Sequence, residues 1–555
     1  MRHSNYRLGT ILLSVAMLAM ACSGPGAGQT GGNQGAGGEQ RNGGTLRIAT
    51  LGSLPTILHP YPQAEHYSDQ LVNEGAVMGA GLINLDDNTL EFGADQNYVM
   101  ATGLPTISAD GRTFTFTLRS DIKWSDGKPI TSADFLYAWQ NASKEENNWV
   151  GFDDVDHFES FATPDARTIV VTLKDRFARF VAMSYAAGIG PVPRQVWEGK
   201  PWYDPQANPE ITKPTVVNGP WMPKDFSTEH HTYQRNPNWW GKQPNIDQID
   251  FVSASPDTTL ELLRTGQVEW AMNFPPSQFQ TAKSLANANV FNWTSASGLY
   301  RVLLFNLQRP QLRDKRVREA LSRAINRADF VQFEENLAQP QLGLLPASNT
   351  KWLNENVEHY DFDVNRAKQL LPDAGYRLDG KGALRDGSGT QLNLEIIYPT
   401  TSQPRQRGAT YIQQQWKQLG VDVSVTGLEA NAFFAKYGRQ KDFDVAMGSY
   451  GGGTPDPIVL ESQVKTDGQQ NSDGYSNPRV DQLLLQGIVE QDDTRRKAIY
   501  DELQKIVTDD LPFFNLITVQ SITAIDKKVA GASPSKGDNM LTANNMQILD
   551  WSIKQ

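Results

Sequence analysis

One thiol, Cys22, serves the whole 555-residue chain, and its surroundings give it a chemical role. Arg2 and Arg7 form a short basic start, followed by an apolar run of 14 residues from Leu8 to Ala21. Ser23 to Gly44 then holds ten glycines in 22 residues. This order is that of a bacterial export signal, a cleavage point and a flexible tether. Leu18-Ala19-Met20-Ala21-Cys22 resembles a lipoprotein box, with Ala19 where Leu is usual. Ala19-Met20-Ala21 also fits the small-x-small rule of ordinary signal peptidase. Both place the cut before Cys22. A bare thiol at the start of an exported chain is reactive, so Cys22 is expected to carry lipid.

The remaining candidates for chemistry are mostly negative. Gly127-Lys128, Gly199-Lys200, Gly241-Lys242 and Gly380-Lys381 all lack the hydroxyl residue that completes a phosphate loop. There is no His-Glu-x-x-His zinc helix and no Gly-x-Ser-x-Gly elbow. His230-His231 is the only adjacent pair among seven histidines. Strand neighbours face opposite sides, which separates them as metal ligands. Asp361-Phe362-Asp363-Val364-Asn365 begins like a calcium loop, but Arg366 stands where that loop needs Gly, so the run reads as a helix cap. Nothing singles out a catalytic carboxylate pair among the 62 acids. No catalytic residue, metal or cofactor is expected.

Composition narrows the partners. Removal of Arg2 and Arg7 takes the formal charge from −11 to −13, which argues against nucleic acid and against a polybasic grip on lipid. With no second cysteine there is no disulfide framework. A 14-residue apolar run is short for a membrane span. As a glycine-rich coil the tether reaches about 25 Å. About 510 residues remain, too many for one core, so two or three lobes are expected.

The elements that would position a site can be read along the chain. Thr45 to Ala49 alternates as a strand. Phe114, Phe116 and Leu118 alternate with Thr115, Thr117 and Arg119, after the turn at Asp110-Gly111. Thr131-Ser132-Ala133-Asp134 is a capped helix start, with Phe135, Leu136 and Trp139 on one face. Strands are expected around Thr232-Tyr233, at Ile246 to Phe251 and at Val268 to Met272, with a short helix over Leu260 to Leu263. Tyr300 to Asn306 is apolar on both faces, as in a covered sheet. Asp314 caps a helix through Val317, Leu321 and Ile325. Leu392 to Tyr398, a helix from Tyr411 to Leu419, and Val421 to Val425 give strand-helix-strand order and α/β packing.

These blocks resemble a known family. Asp110-Gly111-Arg112-Thr113-Phe114-Thr115-Phe116, Ile122-Lys123-Trp124-Ser125-Asp126-Gly127 and Thr131-Ser132-Ala133-Asp134-Phe135 resemble the signature of the family 5 extracellular solute-binding proteins. Asn218-Gly219-Pro220-Trp221, Arg235-Asn236-Pro237, Leu263-Arg264-Thr265-Gly266, Asp314 to Leu321, Ala374-Gly375-Tyr376 and Gly474 to Pro478 also match, in family order. The resemblance implies an α/β, type II periplasmic-binding-protein-like fold of two lobes, a hinge and an inserted domain. It places a signal peptide at 1–21, the tether at 22–44, lobe I at 45–85 with 212–301 and 520–555, the inserted domain at 86–211, and lobe II at 302–519. Hinges are expected near residues 300 and 520. The implied function is that of a monomeric, non-enzymatic receptor of an ABC importer, capturing solute by closure and passing it to permease subunits.

Ligand candidates follow from the same resemblance. Peptide-binding members carry an acid that meets the peptide amine, and here Met447-Gly448-Ser449-Tyr450-Gly451-Gly452-Gly453-Thr454-Pro455-Asp456-Pro457 places Gly453 there. Glycines at 451, 452 and 453 would let backbone approach a ligand. Tyr61, Trp221, Trp270, Tyr450 and Tyr475 fall in or near cleft-lining segments; core packing is the ordinary role of each taken singly. Trp124, Trp139, Trp239 and Trp240 are assigned to structure. An oligopeptide is the expected solute, with an oligosaccharide next. Nickel or haem lacks clustered ligands. Two other classes stay open: a secreted hydrolase, which would turn substrate over, and a signalling receptor without a permease.

Overall fold

The computed structural model describes residues 43–554 except 62–73, 76, 87–90, 148–156, 177–179, 182–189, 256, 273, 296–297, 452–455 and 534–546. The export signal, Cys22, the tether as far as residue 42, and Gly452 and Gly453 lie outside the described residues.

Three larger sheets organise the chain. A seven-stranded sheet takes Thr45–Leu51, Trp221–Phe226, His230–Arg235, Gln248–Ala254, Trp270–Ala271, Ala288–Trp293 and Ser521–Asp526. A four-stranded sheet takes Thr106–Ile107, Thr113–Thr117, Phe158–Asp165 and Thr168–Leu173. A six-stranded sheet takes Tyr300–Phe305, Ala338–Pro340, Asn393–Pro399, Asp422–Leu428, Val445–Tyr450 and Phe513–Val519. The large sheets are mixed: Thr45–Leu51 runs parallel to Gln248–Ala254, and Asn393–Pro399 parallel to Asp422–Leu428, while hairpin-type neighbours run antiparallel.

Local sequence explains these elements. Phe114 and Phe116 are buried while their threonine neighbours face outward, the period of a half-covered strand. The helix Ser132–Ala142 starts where its cap was expected: the Asp134 carboxylate accepts from the Thr131 backbone N–H at 2.8 Å and hydroxyl at 3.1 Å. Asp314 and Asp363 cap the helices Lys315–Arg323 and Val364–Asp373 by accepting from Arg316 and Arg366 N–H. Tyr300–Phe305 is buried on both faces, as its apolar run requires.

Two elements differ from expectation. Only Trp270–Ala271 of the Val268 to Met272 run pairs in the sheet. The turn at Gly266, with φ +72°, still governs Val268, whose N–H donates to Leu262 O at 3.2 Å. The helix expected from Tyr411 begins at Gln403 instead. Pro404 lies in its first turn, where a missing N–H costs nothing. The consequence is that Arg405 belongs to the first helical turn.

Among the described strands, two chain crossings join the seven- and six-stranded sheets, one between Trp293 and Tyr300 and one at residue 520. The strands that flank them lie side by side. Ala288–Trp293 pairs with Ser521–Asp526 on one side, Tyr300–Phe305 with Phe513–Val519 on the other, and Val519 N–H donates to Leu299 O at 3.0 Å between them. The four-stranded sheet also touches the 300–519 region. Ile458 and Ile488 share its apolar cluster with Phe114 and Phe116, and Lys351 bridges Glu91 and Asp493 at 2.9 and 2.8 Å.

Past the glycine run in the sequence, Asp456 fixes the chain. Arg496, in the helix Asp493–Asp510, donates two parallel bonds to its carboxylate at 2.7 and 2.8 Å, and both residues are buried. The guanidinium also lies 5.0 Å over the Trp352 ring. A forked pair of this kind is specific in geometry, and losing one partner strands the other charge. Arg496→Met is expected to lower unfolding stability by about 3–5 kcal/mol, read from urea midpoints. Arg496→Met with Asp456→Asn should recover part of that loss; equal stability of Arg496→Met and the parent would contradict this role.

Candidate functional site

Strand polarity selects one edge of the six-stranded sheet. The mutually parallel strands Asn393–Pro399, Asp422–Leu428 and Val445–Tyr450 all end there. The antiparallel Tyr300–Phe305 begins there and Phe513–Val519 ends there, so both crossings leave from the same edge. In open α/β sheets, ligands sit outside the carboxyl ends of parallel strands.

Two arginines converge at this edge. Arg301 is the one charge in an otherwise apolar strand, and the ladder sets it opposite Ser449. Its Nη1 donates to Ser449 Oγ at 2.9 Å and its Nε to Glu334 Oε1 at 3.2 Å. Arg405, from the first turn of Gln403–Lys417, donates through Nη2 to the same Ser449 Oγ at 2.6 Å. Its Nε is buried and has no hydrogen-bond partner among the described residues. Burial, with Arg301 close by, pulls its guanidinium down to about 9. Glu334 is 3% exposed and bonds Arg301 alone of the two. It is presented by a hard turn, since Glu335 and Asn336 both take left-handed backbone, φ 54° and 61°.

The sequence-selected residues lie elsewhere in the packing. Trp221 and Trp270 share the apolar cluster of the seven-stranded sheet. Their indole N–H groups donate to Ile246 O at 3.2 Å and Thr523 Oγ1 at 2.6 Å. Tyr450 and Tyr475 share a cluster beneath the six-stranded sheet, donating to Gln470 O at 3.3 Å and Asp510 Oδ2 at 2.6 Å. Tyr61 belongs to a further cluster, and its hydroxyl donates to Gly190 O at 2.6 Å. All five are buried with their polar ends engaged inside the chain. Of the glycines, Gly451 lies at the edge, where an added Cβ would be 3.3 Å from Leu299 Cδ1. The structure thus brings Tyr450 and Gly451 to the arginine edge in sequence, but side-chain alternation turns Tyr450 to the opposite face from Ser449.

Sequence reading missed Arg301, Arg405 and Ser449. The signal for Arg301 was present: a lone cation in a strand covered on both faces needs a purpose. Arg405 was hidden by the late helix start.

Comparison with known proteins identifies the class to which this fold belongs. Residues 97–472 match the model of the bacterial extracellular solute-binding proteins, family 5. The chain belongs to this family: it is an exported, non-enzymatic solute-binding protein of the ABC importers, with a type II periplasmic-binding-protein fold. It is 27% identical to the oligopeptide-binding protein OppA of Bacillus subtilis over 531 residues, 91% of this chain and 92% of that one. It is similar in fold to AppA of Bacillus subtilis in complex with a nonapeptide, with TM-score 0.75, 17% identity, and 93% and 100% of the two chains covered. NikZ of Campylobacter jejuni in complex with Ni(L-His) is comparably similar, with TM-score 0.76, 20% identity, and 92% and 99% covered.

Beneath Tyr450 lies a second polar feature. Asp473 is fully buried; its Oδ1 accepts from Tyr475 N–H at 3.0 Å, while Oδ2 has no partner among the described residues. Burial pushes its carboxyl up to about 7, against the pull of that N–H and of Lys441 and Arg318. A carboxyl kept protonated in the fold favours folding fully below its unfolded value near 4. That advantage is lost as pH rises through about 7. Asp473→Asn should therefore gain stability relative to the parent between pH 4 and 7, read by chemical denaturation at several pH values. A constant difference across that range would refute the assignment.

Proposed function

We propose that this protein is a lipid-anchored receptor that captures a short peptide between its two lobes and presents it to a membrane permease. The observation that carries the reading is the paired crossing at 294–299 and residue 520, where two adjacent ladders form a narrow hinge beside the candidate edge. So joined, the seven-stranded sheet acts as the core of one lobe and the six-stranded sheet as the core of the other, with 86–211 inserted in the first. Rotation at a few strand-terminal residues can then enclose a ligand without unfolding either sheet. Peptide is favoured as the solute because OppA and AppA are described as oligopeptide-binding. Lipid on Cys22, with the glycine-rich tether, would hold the receptor beside its permease and raise their effective concentration.

Native mass spectrometry of residues 43–555, purified without denaturation, is expected to show adducts that resolve into peptides of mixed sequence and narrow length. Adding such peptides to the emptied protein should reduce its radius of gyration in solution scattering. A single sugar mass, or binding without compaction, would overturn the reading. Cys22→Ala should move the protein from the membrane fraction to the soluble exported fraction; unchanged fractionation would remove the anchor from the model.

A further inference from the structure

We infer that the domain inserted at 86–211 is a clasp on lobe closure: it docks on the helix corner 488–493 of the other lobe and sets the closing equilibrium for every solute alike. The inference rests on the receptor reading above and assigns control of closure to residues outside the ligand edge.

The corner is built to hold its shape. It joins the helices Pro478–Val489 and Asp493–Asp510. Glu490 accepts from Asp492 N–H at 2.9 Å and from Arg495 Nε and Nη2 at 2.9 and 2.8 Å, so Gln491 sits in a braced turn. Its Nε2 donates to Gly111 O at 3.1 Å. Gly111 has φ +72°, and a Cβ added there would stand 2.8 Å from Gln491 Oε1, so the amide lies against a face that only glycine leaves bare. On the inserted side, Arg176 Nε donates to Asp110 O at 2.7 Å and braces the same turn. Ile458 and Ile488 are buried in the apolar cluster of Phe114 and Phe116, with Val489 packed against it. Lys351, held on its own side by Asp493 at 2.8 Å, reaches Glu91 at 2.9 Å.

These contacts open together. Arg496 ties the segment of Ile458 to the corner, since it holds the Asp456 carboxylate at 2.7 and 2.8 Å and donates to Gly487 O at 2.9 Å. The inserted domain is carried by the seven-stranded sheet and the corner by the six-stranded one. None of the docking residues belongs to the crossings between Trp293 and Tyr300 and at residue 520, so rotation there separates the inserted domain from the corner. Contacts made in the closed arrangement and lost in the open one raise the closed fraction, and apparent affinity scales with that fraction. The factor is the same whatever the ligand, because these residues act without touching it. Choice among solutes stays with the cleft.

The test uses purified residues 43–555 and the double variant Glu91→Gln with Gln491→Ala, which removes the ion pair and the hydrogen bond and leaves the apolar cluster whole. Calorimetric titration with three pentapeptide pools, acidic, basic and apolar, is expected to show binding weakened about 3- to 30-fold. The three factors should agree to within about twofold, and faster dissociation should carry the loss. The unfolding midpoint should stay within a few degrees of the parent's. Unchanged affinity, or a loss confined to one pool, overturns the clasp and leaves the peptide reading intact. Failure of the parent to bind any pool overturns the peptide reading. The clasp is then tested without ligand. Residues 43–555 contain no cysteine, so Leu104→Cys and Leu485→Cys, both at exposed positions, carry one pair of spin labels across the docking surface. The ligand-free parent is expected to show a short-distance population that the double variant depletes at least about twofold. Depletion supports the clasp, and identical distance distributions in parent and variant overturn it.

Discussion

Strand direction in the six-stranded sheet is the constraint on which the rest depends. Because Asn393–Pro399, Asp422–Leu428 and Val445–Tyr450 run parallel, their carboxyl ends gather on one edge. Because Tyr300–Phe305 and Phe513–Val519 pair antiparallel to each other, one enters and the other leaves at that same edge. The chain crossings and the loops that follow the parallel strands therefore share a side by topology. The register is equally consequential. Arg301 opposite Ser449 is one rung of a ladder fixed along its length by buried Val302, Leu303, Leu304 and Phe305. A slip of one residue would turn the arginine to the other face.

Electrostatics then divide the region into a satisfied support and an unsatisfied edge. Asp456 and Arg496 close a buried pair with matched geometry and fix the chain just past the glycines. Glu334 answers Arg301 from a turn that accepts two left-handed residues to place it. Arg405 donates to a hydroxyl, as the buried Arg318 and Arg327 donate to backbone carbonyls and not to carboxylates. The aromatic residues contribute differently. Trp221, Trp270, Tyr450 and Tyr475 bury large surfaces and spend their polar ends inside the chain, so they stiffen the two sheets they pack against.

Much of this was legible from residues. Helix caps at Thr131, Asp314 and Asp363, the period-two strand at Phe114 and Phe116, and the doubly covered strand at Tyr300 are local patterns, decided by neighbours three or four positions away. The family likeness was legible too, since its motifs are short runs of such patterns. The site was not, for two reasons. The helix was expected to start at Tyr411, which left Arg405 outside it, whereas it starts at Gln403. Aromatic residues in cleft-forming segments also drew attention although sequence could not say which face they take.

The sequence by itself determined the element types, their order, the export signal pattern and the lack of disulfides, because each follows from composition or short-range periodicity. Tertiary structure decided which residues meet. Arg301, Arg405 and Ser449 are separated by 104 and 44 positions and touch only through strand pairing and helix docking. Burial, not residue type, assigned Tyr450 to the core and Ser449 to the edge. Their difference is one step along a strand, which reverses the face and which only a folded sheet resolves into inside and outside.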